Sequence, residues 1–267
     1  MPRINIGDVE LNCSDSGEGT PLVLVHGFPL DHSMWRHQID EFVRSYRVVA
    51  PDLRGFGASD VTAGTVSMEQ FADDLASLLD RLNVNQPAIF CGLSMGGYIG
   101  WQFVARHRER VRALIQCDTR SIADGPEGIA NRRKLARLVL ENGTEPVAAA
   151  MLPNLFAEAT TPSRQAAIEE TRQAVLRTNP EGIAAASLGM AARPDVTADL
   201  SSIDVPTLLI VGEHDKISTV DEMRSIADAI PDSQLAVIPD AGHMSPLENP
   251  QAANSVIAEF LARLPQD

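Results

Sequence analysis

Apolar residues fall along this chain in two alternating textures. Short continuous runs occupy 21–28 (PLVLVHGF), 46–53 (YRVVAPDL), 87–94 (PAIFCGLS), 111–118 (VRALIQCD), 206–215 (PTLLIVGEHD) and 233–243 (SQLAVIPDAGH). Continuous rather than alternating apolarity marks strands covered on both faces, so these runs predict a parallel sheet. Two earlier runs, RINI and VELNC, flank Gly7-Asp8 and predict an antiparallel hairpin.

Between the runs the apolar spacing turns helical, with readable starts. Ser67 precedes MEQFADDLASLLDRL, and Gln70 is placed to complete a capping box. Thr219 with Glu222 opens VDEMRSIADAI in the same way, and Asn249 with Pro250 opens QAANSVIAEFLARL. Strand followed by helix, repeated, predicts a doubly wound α/β fold.

The alternation fails between Thr119 and Val205. There PEGIANRRKLARLVLENG, EPVAAAMLPNLFAEA, PSRQAAIEETRQAVLRTN and PEGIAAASLGMAARP all read as helices, with no convincing strand among them. We read 119–205 as a helical cap inserted into a core made of 1–118 and 206–267. Such an insertion roofs the C-terminal ends of the strands, where open α/β sheets bind their ligands.

One junction breaks its pattern abruptly. Gly92-Leu93-Ser94-Met95-Gly96 joins an apolar strand to a helix and fits G-x-S-x-G. The glycines answer crowding: a sharp turn strains Ser94, and the residues two before and two after it approach too closely for a Cβ. The strain exposes the hydroxyl above a helix N-terminus, whose N–H groups favour developing negative charge.

A serine hydroxyl is a weak nucleophile without a base and a group to orient that base. His243, in the turn-rich stretch after the last strand, and Asp215, closing LLIVGEHD, stand at the same sheet edge in the chain order Ser, Asp, His. His243 would take the Ser94 proton and Asp215 would hold its tautomer. Asp118, at the end of the preceding strand, is the rival for the acid. The backbone N–H groups of Phe28 and Met95 are the expected oxyanion donors.

Composition narrows the partners. The 267 residues carry a formal net charge of -14, which disfavours nucleic acid and anionic membranes. The N-terminal stretch MPRINIGDVELN has no signal-peptide pattern, and no apolar run reaches membrane length, so a cytoplasmic location is expected. The three cysteines, Cys13, Cys91 and Cys117, form no disulfide or zinc pattern, and the histidines show no metal-ligand spacing. A nucleotide cradle is missing as well: GLSMGGYIG lacks both the P-loop lysine and the dinucleotide glycine spacing. His32, His37 and His107 read as solvated, His26 as a brace for the oxyanion loop, and Asp52 as a brace for DLRGFG.

HGFP, DLRGFGASD, GLSMGG, GEHD and GH, in that order, resemble the α/β-hydrolase superfamily over nearly the whole chain. Within it the chain looks like the small carboxylesterase branch, with arylesterases, cofactor-free haloperoxidases or perhydrolases, and 3-oxoadipate enol-lactone hydrolases. The resemblance implies the α/β-hydrolase fold, with Ser94, Asp215 and His243 as a catalytic triad. It also implies no cofactor, no metal, and water acting on a small ester or lactone. A carboxylesterase is the leading expectation and an enol-lactonase the alternative, with perhydrolysis as a side activity. A small-molecule receptor on the same scaffold is the reading outside enzymes. For substrate contacts, Arg133 (one helical turn from Arg137) is a candidate carboxylate clamp. Trp35, Met151, Leu152, Leu155, Phe156, Leu188 and Met190 are candidates for an apolar wall, against the plainer reading of each as packing.

Overall fold

The structure is a computed structural model describing residues 1–158 and 162–265. The last residue of the predicted stretch EPVAAAMLPNLFAEA and the last two of the chain fall outside that description. The strands are β1 (Arg3–Asn5), β2 (Glu10–Ser16), β3 (Pro21–Val25), β4 (Arg47–Pro51), β5 (Ala88–Leu93), β6 (Val111–Cys117), β7 (Thr207–Gly212) and β8 (Ser233–Ile238). They form a single sheet in the order β1-β2-β4-β3-β5-β6-β7-β8. The β1–β2 and β2–β4 pairs are antiparallel and every later pair is parallel. The hairpin and the parallel runs therefore lie as their patterns predict. Every residue of β3, β5 and β7 is buried, which is why those runs lack alternation.

Helices α1 (Arg36–Phe42), α2 (Met68–Arg81) and α3 (Met95–Arg106) lie between the early strands. Helices α4 (Pro126–Asn142), α5 (Glu145–Leu155), α6 (Pro162–Arg177) and α7 (Pro180–Ala191) follow one another between β6 and β7. Helix α8 (Val220–Ala229) precedes β8, and α9 (Ser245–Glu248) and α10 (Pro250–Arg263) follow it.

Capping follows the predicted residues with one difference. Thr219 and Glu222 form a full capping box, and Asn249 accepts the Ala252 N–H ahead of Pro250. Ser67 accepts the Gln70 N–H at 3.2 Å, but the Gln70 amide turns away to donate to Asp74 at 2.9 Å. Asp74 has the stronger pull, being a buried carboxylate also gripped by Arg54.

The strand order places the site. From β3 the chain moves outward to β4 and then returns to β5 on the other side. The connections from β3 and β5 therefore lead to opposite sides of the sheet, a switch point of the kind at whose C-terminal strand ends open α/β sheets bind ligands. Ser94 immediately follows β5 and the HGFP loop immediately follows β3.

Candidate active site

Ser94 has φ 54° and ψ -109°, and it alone between Cys91 and Gly100 is not fully buried. A Cβ on Gly92 would stand 2.3 Å from Gly96 O, and one on Gly96 would stand 2.3 Å from Val25 O. Both contacts are with backbone that cannot swing away, so glycine is required on each side of the strained serine. The Ser94 N–H donates to Cys117 O at 2.9 Å, and Thr119 Oγ1 donates to Ser94 O at 2.8 Å. These bonds hold the turn in a conformation that an L-residue rarely adopts.

The imidazole of His243 stands between two of the predicted partners. Its Nε2 is 2.9 Å from Ser94 Oγ and its Nδ1 is 2.8 Å from Asp215 Oδ2. The other Asp215 oxygen accepts Ile217 N–H at 2.7 Å and Ser218 N–H at 3.1 Å, so the carboxylate is held at both ends. His243 and Asp215 are 2% and 6% exposed. The structure thus brings together, within hydrogen-bond reach, three residues separated by as many as 149 positions.

Asp118 sits at the neighbouring strand end with φ 46° and is wholly buried. Its Oδ1 accepts Gly212 N–H at 2.8 Å and its Oδ2 contacts Ser245 Oγ, and no bond joins it to His243 among the described residues. Burial, then the nearby Asp215 charge, pushes its carboxyl well above the ordinary range.

The HGFP loop packs against the elbow: a Cβ on Gly27 would be 3.6 Å from Ser94 Cβ. The Phe28 N–H donates to no acceptor among the described residues. Met95 opens α3, so its N–H is one of the first-turn donors without an intrahelical acceptor. His26 braces this loop as expected. Its Nδ1 is 2.9 Å from Gly27 O, and its Nε2 accepts Leu53 N–H at 3.0 Å, with burial holding its pKa down. Sequence reasoning missed Met34, whose sulfur accepts Gly27 N–H at 3.4 Å.

The expected substrate contacts differ in burial. Trp35 is 0% exposed and packs in the core. Its indole N–H is buried with no hydrogen-bond partner among the described residues. Arg133 and Arg137 lie on the exposed face of α4, and it is the neighbouring Arg132 that turns inward to pair with Asp124 at 3.0 Å. Leu155 and Met190 are buried, while Met151, Leu152, Phe156 and Leu188 are half-buried against the core. Tyr98 lies under the Arg193 guanidinium, 4.3 Å from the ring centre. A cleft of 530 Å³ opens between the loop after β3 and α6, lined by Leu30, Asp31, Met34, Ala174, Arg177 and others. None of Ser94, Asp215 and His243 lines it.

His32, expected to be solvated, is half-buried with Nδ1 2.6 Å from Asp52. His107 likewise lies 2.8 Å from Asp73. Asp31, His32 and Asp52 bring ligand-type atoms within 4.8 Å of one another, a grouping that sequence spacing does not reveal. All three are already engaged, Asp31 by Arg177 at 2.7 Å and by Ser33. No helix among the described residues is long and apolar enough to cross a membrane.

Comparison with known proteins identifies the family and the fold. A family model described as the alpha/beta hydrolase fold matches residues 20–250. The chain is 31% identical to 3-oxoadipate enol-lactonase 2 of Acinetobacter baylyi, covering 96% of this chain and 94% of that protein. A thermophilic esterase from Thermogutta terrifontis, solved with malate bound, superposes with a TM-score of 0.95 at 46% identity, covering 97% and 95% of the two chains. The enol-lactonase from Burkholderia xenovorans LB400 superposes with a TM-score of 0.91 at 30% identity, covering 98% of this chain and all of the other.

Proposed function

The chain belongs to the α/β-hydrolase family, and on that premise we propose that it is a serine hydrolase cleaving small carboxylic esters through an acyl-enzyme. The observation that carries this is the unbroken line of contacts from Asp215 through His243 to Ser94 Oγ. Ser94 attacks the ester carbonyl as His243 Nε2 takes its proton. Asp215 keeps the other ring nitrogen protonated and stabilises the imidazolium. The oxyanion lies between the N–H groups of Phe28 and Met95, each worth about 3 kcal/mol of transition-state stabilisation. His243 then protonates the departing alcohol and deprotonates the water that releases the acid. Helices α4 to α7 act as the cap, within the division of core 1–118 and 206–267 and insertion 119–205. Three buried, unpaired cysteines fit the reducing conditions of the cytoplasm.

Replacing Ser94 by Ala tests the reading directly. Turnover of p-nitrophenyl acetate should fall on the order of 10⁶-fold with the thermal midpoint unchanged. Wild-type turnover in Ser94→Ala would end it. A protein that folds normally but whose native Ser94 takes no fluorophosphonate label would favour the receptor instead.

An enol-lactonase is the second reading, favoured by the enol-lactonase relatives. A panel of neutral esters and anionic lactones separates the two by kcat/KM. Hydrogen peroxide in place of water at the acyl-enzyme would give a peracid, the perhydrolase side activity.

A further inference from the structure

One carboxylate beside His243 has no part in the proposed reaction. Glu248 closes α9, and its side chain is 0% exposed. Enclosing a carboxylate is unfavourable unless its oxygens are engaged. Here Oε1 accepts Gly242 N–H at 2.8 Å and Met244 N–H at 3.2 Å, while Oε2 accepts Ala157 N–H at 2.9 Å. Gly242 and Met244 are the residues on either side of His243. Ala157 belongs to the segment that follows α5.

That segment is joined to the histidine loop by more than the carboxylate. Met244 N–H also reaches Leu155 O at 3.2 Å. A Cβ on Gly242 would stand 2.5 Å from Ala157 N and 2.8 Å from Phe156 C, so the two backbones touch with no side chain between them. From α6, Arg164 Nε lies 3.7 Å from Glu248 Oε2. Burial raises the Glu248 pKa against the opposing pull of the three N–H donors and Arg164.

We propose that Glu248 is a positioning residue for His243. Its carboxylate holds the backbone on both sides of the imidazole and ties it to the 155–157 segment. The place of Nε2 and the seating of α5 are thereby set together. The role presupposes that Ser94, His243 and Asp215 act as proposed above. A small rotation of the His243 backbone carries Nε2 away from Ser94 Oγ, and misplacement by about 1 Å costs on the order of 100-fold in rate.

Glu248→Ala and Glu248→Gln test it, with three readouts: kcat and KM for p-nitrophenyl acetate, the rate of fluorophosphonate labelling of Ser94, and the thermal midpoint. In Glu248→Ala, kcat and the labelling rate should fall together by about 10- to 100-fold, with KM near wild type. In Glu248→Gln the amide oxygen can still accept Gly242 and Met244 while its NH₂ faces the Ala157 N–H. That variant keeps the hold on the loop, loses the tie to the segment, and should fall between Glu248→Ala and wild type. A folded variant with lowered thermal midpoint but wild-type kcat and labelling would make Glu248 a structural brace and overturn the proposal. Should Glu248→Ala fail to fold, wild-type kcat in Glu248→Gln overturns it alone. Absence of labelling in the wild-type protein would instead remove the triad reading, and this one with it.

Discussion

Two buried aspartates in this molecule each hold a histidine, and the two pairs differ in what lies beyond the ring. In one, Asp215 is 2.8 Å from His243 Nδ1, and the far nitrogen meets Ser94 Oγ at 2.9 Å. In the other, Asp52 is 2.6 Å from His32 Nδ1, and its remaining capacity goes to His32 N–H, Ala58 N–H and the Asn12 amide. No hydroxyl nucleophile touches His32 among the described residues. The Asp52 pair closes the DLRGFG turn, whereas the Asp215 pair ends at a strained serine in the turn between β5 and α3. A His–Asp contact alone is therefore a fold element. The third partner, Ser94, is what distinguishes the two pairs.

The comparison breaks if the acid of the first pair is dispensable. Asp215→Asn keeps the shape but offers Nδ1 a donor on one side, favouring the wrong tautomer. The kcat for p-nitrophenyl acetate should fall by about 10⁴-fold. A rate near wild type would mean that the first pair, like the second, is structural.

Asp118 sharpens the contrast as a third buried aspartate that holds no histidine. Asp118→Asn still accepts Gly212 N–H through its carbonyl, and its NH₂ can donate to Ser245 Oγ. The substitution also resembles the neutral acid that burial already favours at this site. Activity should stay within about tenfold of wild type, with stability changed by about 1 kcal/mol, read by urea unfolding. A loss as large as that of Asp215→Asn would make Asp118 the acid.

Much of this was legible because it depends on local backbone requirements. The glycines around Ser94, the continuous apolarity of β3, β5 and β7, and the Thr219 capping box each leave a mark within a few residues. Chain order then sorted His243 from His26. What could not be read depended on long-range geometry. His32 looked solvated because its partner Asp52 stands twenty positions away on another strand end. Trp35 follows the HGFP loop and is fully buried, and periodicity does not say which side of a short helix meets the core. Glu248 stood in plain view in GHMSPLENP, but a carboxylate that bonds only main-chain N–H groups needs no partner side chain to betray it. On α4, one helical position separates the exposed Arg133 from Arg132, which binds Asp124.

The second pair makes its own prediction, the smallest in size, through the pH dependence of stability. Burial works against the Asp52 charge, but hydrogen bonds from His32 and Ala58 overrule it and hold the carboxyl below 3.8. Its contribution is therefore whole above pH 3.8 and is lost as pH falls through the folded-state value. For His32, burial again opposes the charge, but the Asp52 contact overrules it and lifts the pKa above 6.5. That contribution is whole below pH 6.5 and is lost as pH rises through the raised value. The pair thus stabilises most between these limits and weakens towards alkaline pH. The His32 side chain is 22% exposed, so water screens part of the attraction, leaving an effect of at most about 1 kcal/mol. Urea unfolding of wild type between pH 6 and 8 should show this decline, and His32→Gln should remove it while leaving kcat unchanged. If both proteins lose stability in parallel, the Asp52–His32 contact carries no net charge interaction. If kcat falls in His32→Gln, the second pair reaches the chemistry after all, and the division between the two pairs is lost.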